Sequence, residues 1–246
     1  MTALLEATDL RKSYDDKVVL ADVDLGVEPH DVVCLIGSSG SGKSTLLRCL
    51  NLLEYIDDGV IAFEGREISD PRIDRREVRS RMGMVFQAYN LFPHLSVLDN
   101  CTLAPRRVHG VPKHEAEERA RGLLAQFGLA DQADKHPDRM SGGQQQRAAL
   151  VRALCTQPTL LLLDEITAAL DPELVGEVLT IVRDLAERGT TMILATHEMS
   201  FARDIATTVC FLDQGRILEQ GPPSEILSNP HVERTRQFLA RVLPHS

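Results

Sequence analysis

Apolar positions along this chain change their period from segment to segment. Val32-Val33-Cys34-Leu35-Ile36 is a short, unbroken apolar run, and so is Thr159–Leu163. Runs of this length suit strands buried on both faces. Thr190–Ala195, apolar from Met192, is also short and strand-like. Between the last two runs, Leu174, Val178, Val182 and Leu185 recur at helical spacing. Asp171 can cap that helix, Pro172 suits its first turn, and Gly189 can end it. Strand, helix and strand in this order predict a β-α-β unit with parallel pairing.

The first 30 residues alternate instead. They predict β-hairpins built from Ala3–Leu10, Val18–Leu20 and Val23–Val27, with a further strand over Val60–Phe63 and a turn at Gly65. From about Ser96 to Leu154 the pattern becomes charged and Ala/Leu-rich, and His114–Gly128 reads as one helix. Alternation of strands and helices then resumes. No repeat or low-complexity segment interrupts it.

Between the Val32–Ile36 run and the apolar stretch from Leu46 lies Gly37-Ser38-Ser39-Gly40-Ser41-Gly42-Lys43-Ser44-Thr45. The pattern is G-x-x-x-x-G-K-[ST], in the strand, loop and helix context that such a loop needs. A polyphosphate requires many donors close together. Gly37, Gly40 and Gly42 leave room for consecutive backbone N–H groups to point inward. The start of the following helix favours the same anion. Lys43 can reach the β and γ phosphates, and the Ser44 hydroxyl can ligate Mg²⁺. A Gly/Ser linker would be flanked by polar sequence, which this is not. The expected fold class is therefore α/β: a P-loop NTPase core with a mixed or parallel sheet, an N-terminal antiparallel β subdomain and an inserted helical subdomain.

Composition adds exclusions. The formal net charge is −9 with no basic block, which speaks against a nucleic-acid backbone as principal ligand. The first residues lack the charged and apolar layout of a secretory signal. No apolar run approaches the ~18 residues of a membrane span, so the chain is expected to fold in the cytosol. Five scattered cysteines without CxxC spacing read as buried, reduced thiols.

Two further strings carry chemistry. Leu160–Leu163 runs into Asp164-Glu165. Ligands in open α/β sheets sit at the carboxyl ends of strands. Asp164 is expected beside Mg²⁺, and Glu165 beside the γ-phosphate, where a carboxylate can orient water or take its proton. Ser141-Gly142-Gly143, followed by Gln144-Gln145-Gln146-Arg147, is a cap and the opening of a helix, another N-terminus able to bind phosphate.

Together these strings resemble the ATPase subunit of an ATP-binding cassette (ABC) transporter. The Ser141–Arg147 string resembles that family's signature motif, and the resemblance covers essentially the whole chain. It implies one ATPase domain over 1–246, with 1–95 and 155–228 as the nucleotide-binding core, 96–154 as the helical subdomain and 229–246 as a tail. It also implies a head-to-tail dimer in which each ATP lies between the phosphate loop of one copy and Ser141 and Gly143 of the other. Further roles follow from the resemblance. Tyr14 would stack on adenine, and Gln87 would contact Mg²⁺ and water. His197 would contact the γ-phosphate, and Asp171 would lie in the loop crossing the dimer interface. Met140, Ile166 and Ala168 stand where the family has leucine, proline and serine; the last two changes are expected to loosen the loop to Asp171.

The segments Gln87–Asn100 and Ser228–Leu239 resemble bacterial polar-amino-acid importers. That implies an ATP-hydrolysing, energy-coupling subunit at the cytoplasmic face of the inner membrane. Integral permease subunits and, indirectly, a substrate-binding protein would be its partners. Tyr89, Leu91, Phe92 and Leu95 would lie by a groove for a permease helix. An exporter ATPase and a soluble ABC-type assembly factor are the alternatives. A GTPase is disfavoured, because no Asn-Lys-x-Asp string reads guanine.

Overall fold

The computed structural model describes residues 3–242; the last part of the expected tail, 243–246, lies outside the described residues. In chain order the elements are β1 (Leu5–Tyr14), β2 (Lys17–Val27), β3 (Val32–Ile36), α1 (Lys43–Leu50), β4 (Asp58–Phe63), β5 (Arg66–Glu67) and α2 (Arg75–Ser80). There follow β6 (Met82–Val85), α3 (Val97–Arg107), α4 (Lys113–Gln126), α5 (Gly142–Leu154), β7 (Leu160–Asp164) and α6 (Pro172–Glu187). The chain ends with β8 (Met192–Ala195), α7 (Met199–Ile205), β9 (Thr208–Asp213), β10 (Arg216–Gly221), α8 (Pro223–Ile226) and α9 (Glu233–Val242).

These elements form two compact units. The first comprises the described parts of Met1–Arg79 and Arg188–Ser246, and the second is Ser80–Glu187.

In the first unit, β2-β1-β4-β5 form an antiparallel sheet. The N-terminal strands are longer than the alternation predicts. β1 runs on to Tyr14, and the two expected pieces of β2 are one strand. What the pattern hid is a set of charged positions absorbed by irregular pairing. Asp9 and Asp22 take positive φ, the β1–β2 register shifts nearby, and Arg11 pairs with Asp22. A second, mixed sheet in this unit has β3 parallel to both β8 and β9, with β10 antiparallel to β9. All five residues of β3 are buried, as its unbroken apolar run requires.

The second unit pairs β6 with β7 in parallel and carries the helices. The helical stretch divides into α3, α4 and α5, with α4 close to the expected His114–Gly128 and ended by Gly128 at φ +67. In α6 the residues Val178, Val182 and Leu185 are buried and Leu174 is half-buried, so the predicted face is the inner one. All five cysteines are buried. Burial pushes the Cys49 and Cys210 thiols up to about 12, and Cys34 higher still.

Candidate functional site

The first unit carries the phosphate loop, which leaves β3 and enters α1. Gly37 sits at φ +148, and a Cβ there would lie 2.0 Å from the Leu212 carbonyl oxygen. Only glycine lets the loop run so close to the end of β9. Gly42, at φ +109, is confined in the same way by the Val19 carbonyl at 2.9 Å, whereas a Cβ on Gly40 would meet nothing within 4 Å. Ser38 is half-buried, Ser39 is exposed and Ser41 is buried. Lys43 opens α1 and is buried, and its Nζ donates to the carbonyls of Gly37 at 3.0 Å and Ser38 at 3.2 Å. Ser44 and Thr45 follow, half-buried, in the first turn. The loop therefore combines glycine-bared amides, a helix start and an ammonium, a donor set suited to a polyphosphate.

His197 leaves the end of β8, which pairs with β3 through Leu35 and Ala195. The buried Thr196 fixes this exit. Its N–H donates to the Leu35 carbonyl at 3.2 Å, and its hydroxyl accepts from the Glu198 N–H at 3.0 Å. His197 itself is exposed. The structure thus puts His197 and the phosphate loop at the carboxyl ends of adjacent strands. Tyr14 ends β1, 40% exposed as a residue, with the Lys12 ammonium 5.0 Å from its ring centroid.

The second unit carries the remaining residues. Val85 and Leu163 are partners across β6 and β7, so Gln87 and the pair Asp164-Glu165 leave neighbouring strand ends. Asp164 is buried and Gln87 exposed. Glu165 takes φ +45, left-handed backbone that is uncommon for a glutamate and concentrated at functional sites.

Ser141 caps α5 in a reciprocal box with Gln144. The hydroxyl accepts from the Gln144 N–H at 3.3 Å, and the Ser141 N–H donates to the Gln144 side chain at 3.0 Å. A Cβ on Gly142 would lie 2.7 Å from the Tyr89 hydroxyl, and one on Gly143 2.9 Å from Leu174. Both glycines therefore serve close packing.

Three interactions tie these loops together. Tyr89 donates to the Ala169 carbonyl at 3.2 Å, Arg152 of α5 donates to the Tyr89 carbonyl at 3.2 Å, and Arg147 pairs with Glu177 of α6 at 2.6 Å. The stretch after Gln87, the helix after Ser141 and the loop before the exposed Asp171 are thus linked to one another. Ile166 is buried, and the segment to Asp171 holds turn hydrogen bonds from Ala168 to Glu165 and from Leu170 to Thr167.

Asn100 escaped sequence reasoning. It is buried in α3, accepts from the Phe92 N–H at 2.8 Å, and donates to the carbonyls of Phe92 and Ser96 at 3.1 and 2.9 Å. A polar residue beside Val97, Leu98 and Cys101, all inward-facing, is the signal that could have found it.

These features define an ATP-binding, ATP-hydrolysing protein on a phosphate-loop core. Residues 20–168 match the ABC transporter family, and the chain belongs to that family. It is 49% identical to the glutamine transport ATP-binding protein of Geobacillus stearothermophilus, covering 96% of this chain and 98% of that protein. It is also 49% identical to the L-cystine transport system ATP-binding protein of Escherichia coli, with 97% and 98% covered. Among solved structures, a dimeric ATP-binding cassette in a post-hydrolysis state, bound to ADP and Pi, matches with TM-score 0.81 at 29% identity, covering 89% of this chain and 98% of that one.

Proposed function

We propose that this chain is the ATP-hydrolysing subunit that powers import of polar amino acids through a membrane permease. The observation that carries this is the end-to-end match to two amino-acid transport ATP-binding proteins, with the phosphate loop and the Ser141 cap both inside the matched length. Equal identity to a glutamine and a cystine protein supports a class of substrate rather than one amino acid.

In this reading the phosphate-loop amides of Gly37–Thr45 and the Lys43 ammonium hold the phosphates, and Tyr14 stacks on the adenine. Ser44, Gln87 and Asp164 are hard oxygen donors of the kind Mg²⁺ takes, alongside phosphate oxygens. Among the described residues no cluster of three or more His, Cys, Asp and Glu could hold a metal on its own. A cation shared with the nucleotide fits that donor set. Mg²⁺ would neutralise phosphate charge during transfer. Glu165 orients the attacking water and takes its proton. His197 contacts the γ-phosphate.

Two copies close head to tail, so that Ser141, Gly142 and Gly143 of one complete the site of the other, with Asp171 at the seam. The dimeric state of the ADP-bound cassette supports this arrangement. The residues 1–246 act as one ATPase domain with a helical part over 96–154.

No helix among the described residues is long and apolar enough to cross a membrane. In this reading the chain works at the cytoplasmic face on permease subunits. Phe92, 44% exposed, with the half-buried Tyr89, Leu91 and Leu95, offers those subunits an apolar surface. A binding protein delivers the amino acid from the far side.

ATPase assays on the purified chain test the chemistry. Hydrolysis is expected to require Mg²⁺ and to slow by about 10²–10⁴-fold in Glu165→Gln. The same variant is expected to run as an ATP-bound dimer in gel filtration. Wild-type turnover in Glu165→Gln would remove the role given to Glu165.

A further inference from the structure

The end of β9 supports the phosphate loop from one side and meets the C-terminal helix on the other. Phe211 and Asp213 are two residues apart and so share one face of the strand, with Leu212 on the opposite face. The Leu212 carbonyl is the group against which Gly37 packs so closely. Gly215, just beyond β9, donates its N–H to the Ser41 carbonyl at 3.0 Å. The phosphate loop is thus seated on residues 212–215.

Helix α9 grips the same strand end. Phe238 packs on Phe211 with ring centroids 5.0 Å apart. Arg234 donates through Nε to Asp213 Oδ2 at 2.8 Å and through a terminal nitrogen to Oδ1 at 3.1 Å. This two-pronged geometry fixes direction as well as charge. The Asp213 side chain is only 7% exposed, so little water can replace the guanidinium. Ser38 of the phosphate loop places its Oγ 3.5 Å from the same Oδ1, at the long limit of a hydrogen bond. One carboxylate therefore faces both the loop and the C-terminal helix. The approach to α9 is fixed in turn by Glu219, which accepts from the N–H groups of His231 at 2.6 Å and Val232 at 3.3 Å.

We infer that Arg234 is a positioning residue for nucleotide binding: through Asp213 it holds the strand end on which the phosphate loop is seated, so the C-terminal helix sets the grip on ATP. The inference rests on the reading of residues 37–45 as the ATP site. Without the guanidinium, Asp213 loses its two-pronged partner, and a turn toward solvent or toward Ser38 would disturb the seat of the loop.

Steady-state ATPase kinetics on the full chain, with thermal unfolding alongside, test it. Arg234→Met is expected to raise KM for ATP about tenfold while kcat at saturating ATP stays within about twofold of wild type. Arg234→Lys keeps the charge but loses the fork, and its KM is expected to fall between the two. Pairing Arg234→Met with Asp213→Asn is expected to add little further loss, because the two side chains act as one unit. A wild-type KM in Arg234→Met, with only the melting temperature lowered, would overturn the inference. Should that variant not fold, a wild-type KM in Arg234→Lys does the same. Lys43→Ala is the control: unchanged ATP binding there would instead overturn the phosphate-loop reading itself.

Discussion

At the scale of single residues, the site depends on backbone that only certain side chains permit. Gly37 has a carbonyl oxygen 2.0 Å from where its Cβ would stand, and a backbone atom cannot swing aside. Gly37→Ala is expected to weaken ATP binding by about tenfold or more, ~1.4 kcal/mol, measured by titration with a fluorescent ATP analogue. Gly26→Ala, where a Cβ meets nothing within 4 Å, is the matched control and is expected to bind as wild type. Equal binding by both variants would show that the close approach is not what Gly37 is for. The phosphate-loop residues were legible in sequence because their chemistry is local: glycines, a lysine and a hydroxyl at fixed spacing. The left-handed backbone of Glu165 was not legible, since nothing in Asp164-Glu165-Ile166 announces it. Nor was the Arg234–Asp213 pair, whose partners lie 21 residues apart and meet through tertiary packing.

Among the elements, Asn100 shows how one side chain shapes a loop. It holds Phe92, Leu95 and Ser96 from within α3. Asn100→Ala leaves the Phe92 N–H without its acceptor, which costs about 1–3 kcal/mol when the group is buried. A melting temperature lower by roughly 2–4 °C per kcal/mol is expected from thermal unfolding. An unchanged melting temperature would mean that the segment from Phe92 to Ser96 is held by its own turns. The elements themselves were largely readable. The apolar runs of β3 and β7 and the helical period of α6 depend on burial, and burial writes itself into sequence. β1 and β2 were harder. Their charged positions satisfy one another across the strands, as Arg11 and Asp22 do, and this breaks the alternation that marks a strand.

For the whole molecule, the ATPase was readable because its motifs lie on this chain, and the cargo was not, because in the proposed cycle the amino acid passes through the permease subunits. Coupling of hydrolysis to uptake is therefore decided in cells. Uptake of a panel of labelled amino acids is to be measured in cells lacking this chain, complemented with wild type or with Lys43→Ala. Uptake of one or a few polar amino acids is expected to return with wild type and to stay at background with Lys43→Ala. Uptake of every amino acid independent of the chain would contradict it, leaving an ABC ATPase that drives something other than amino-acid import.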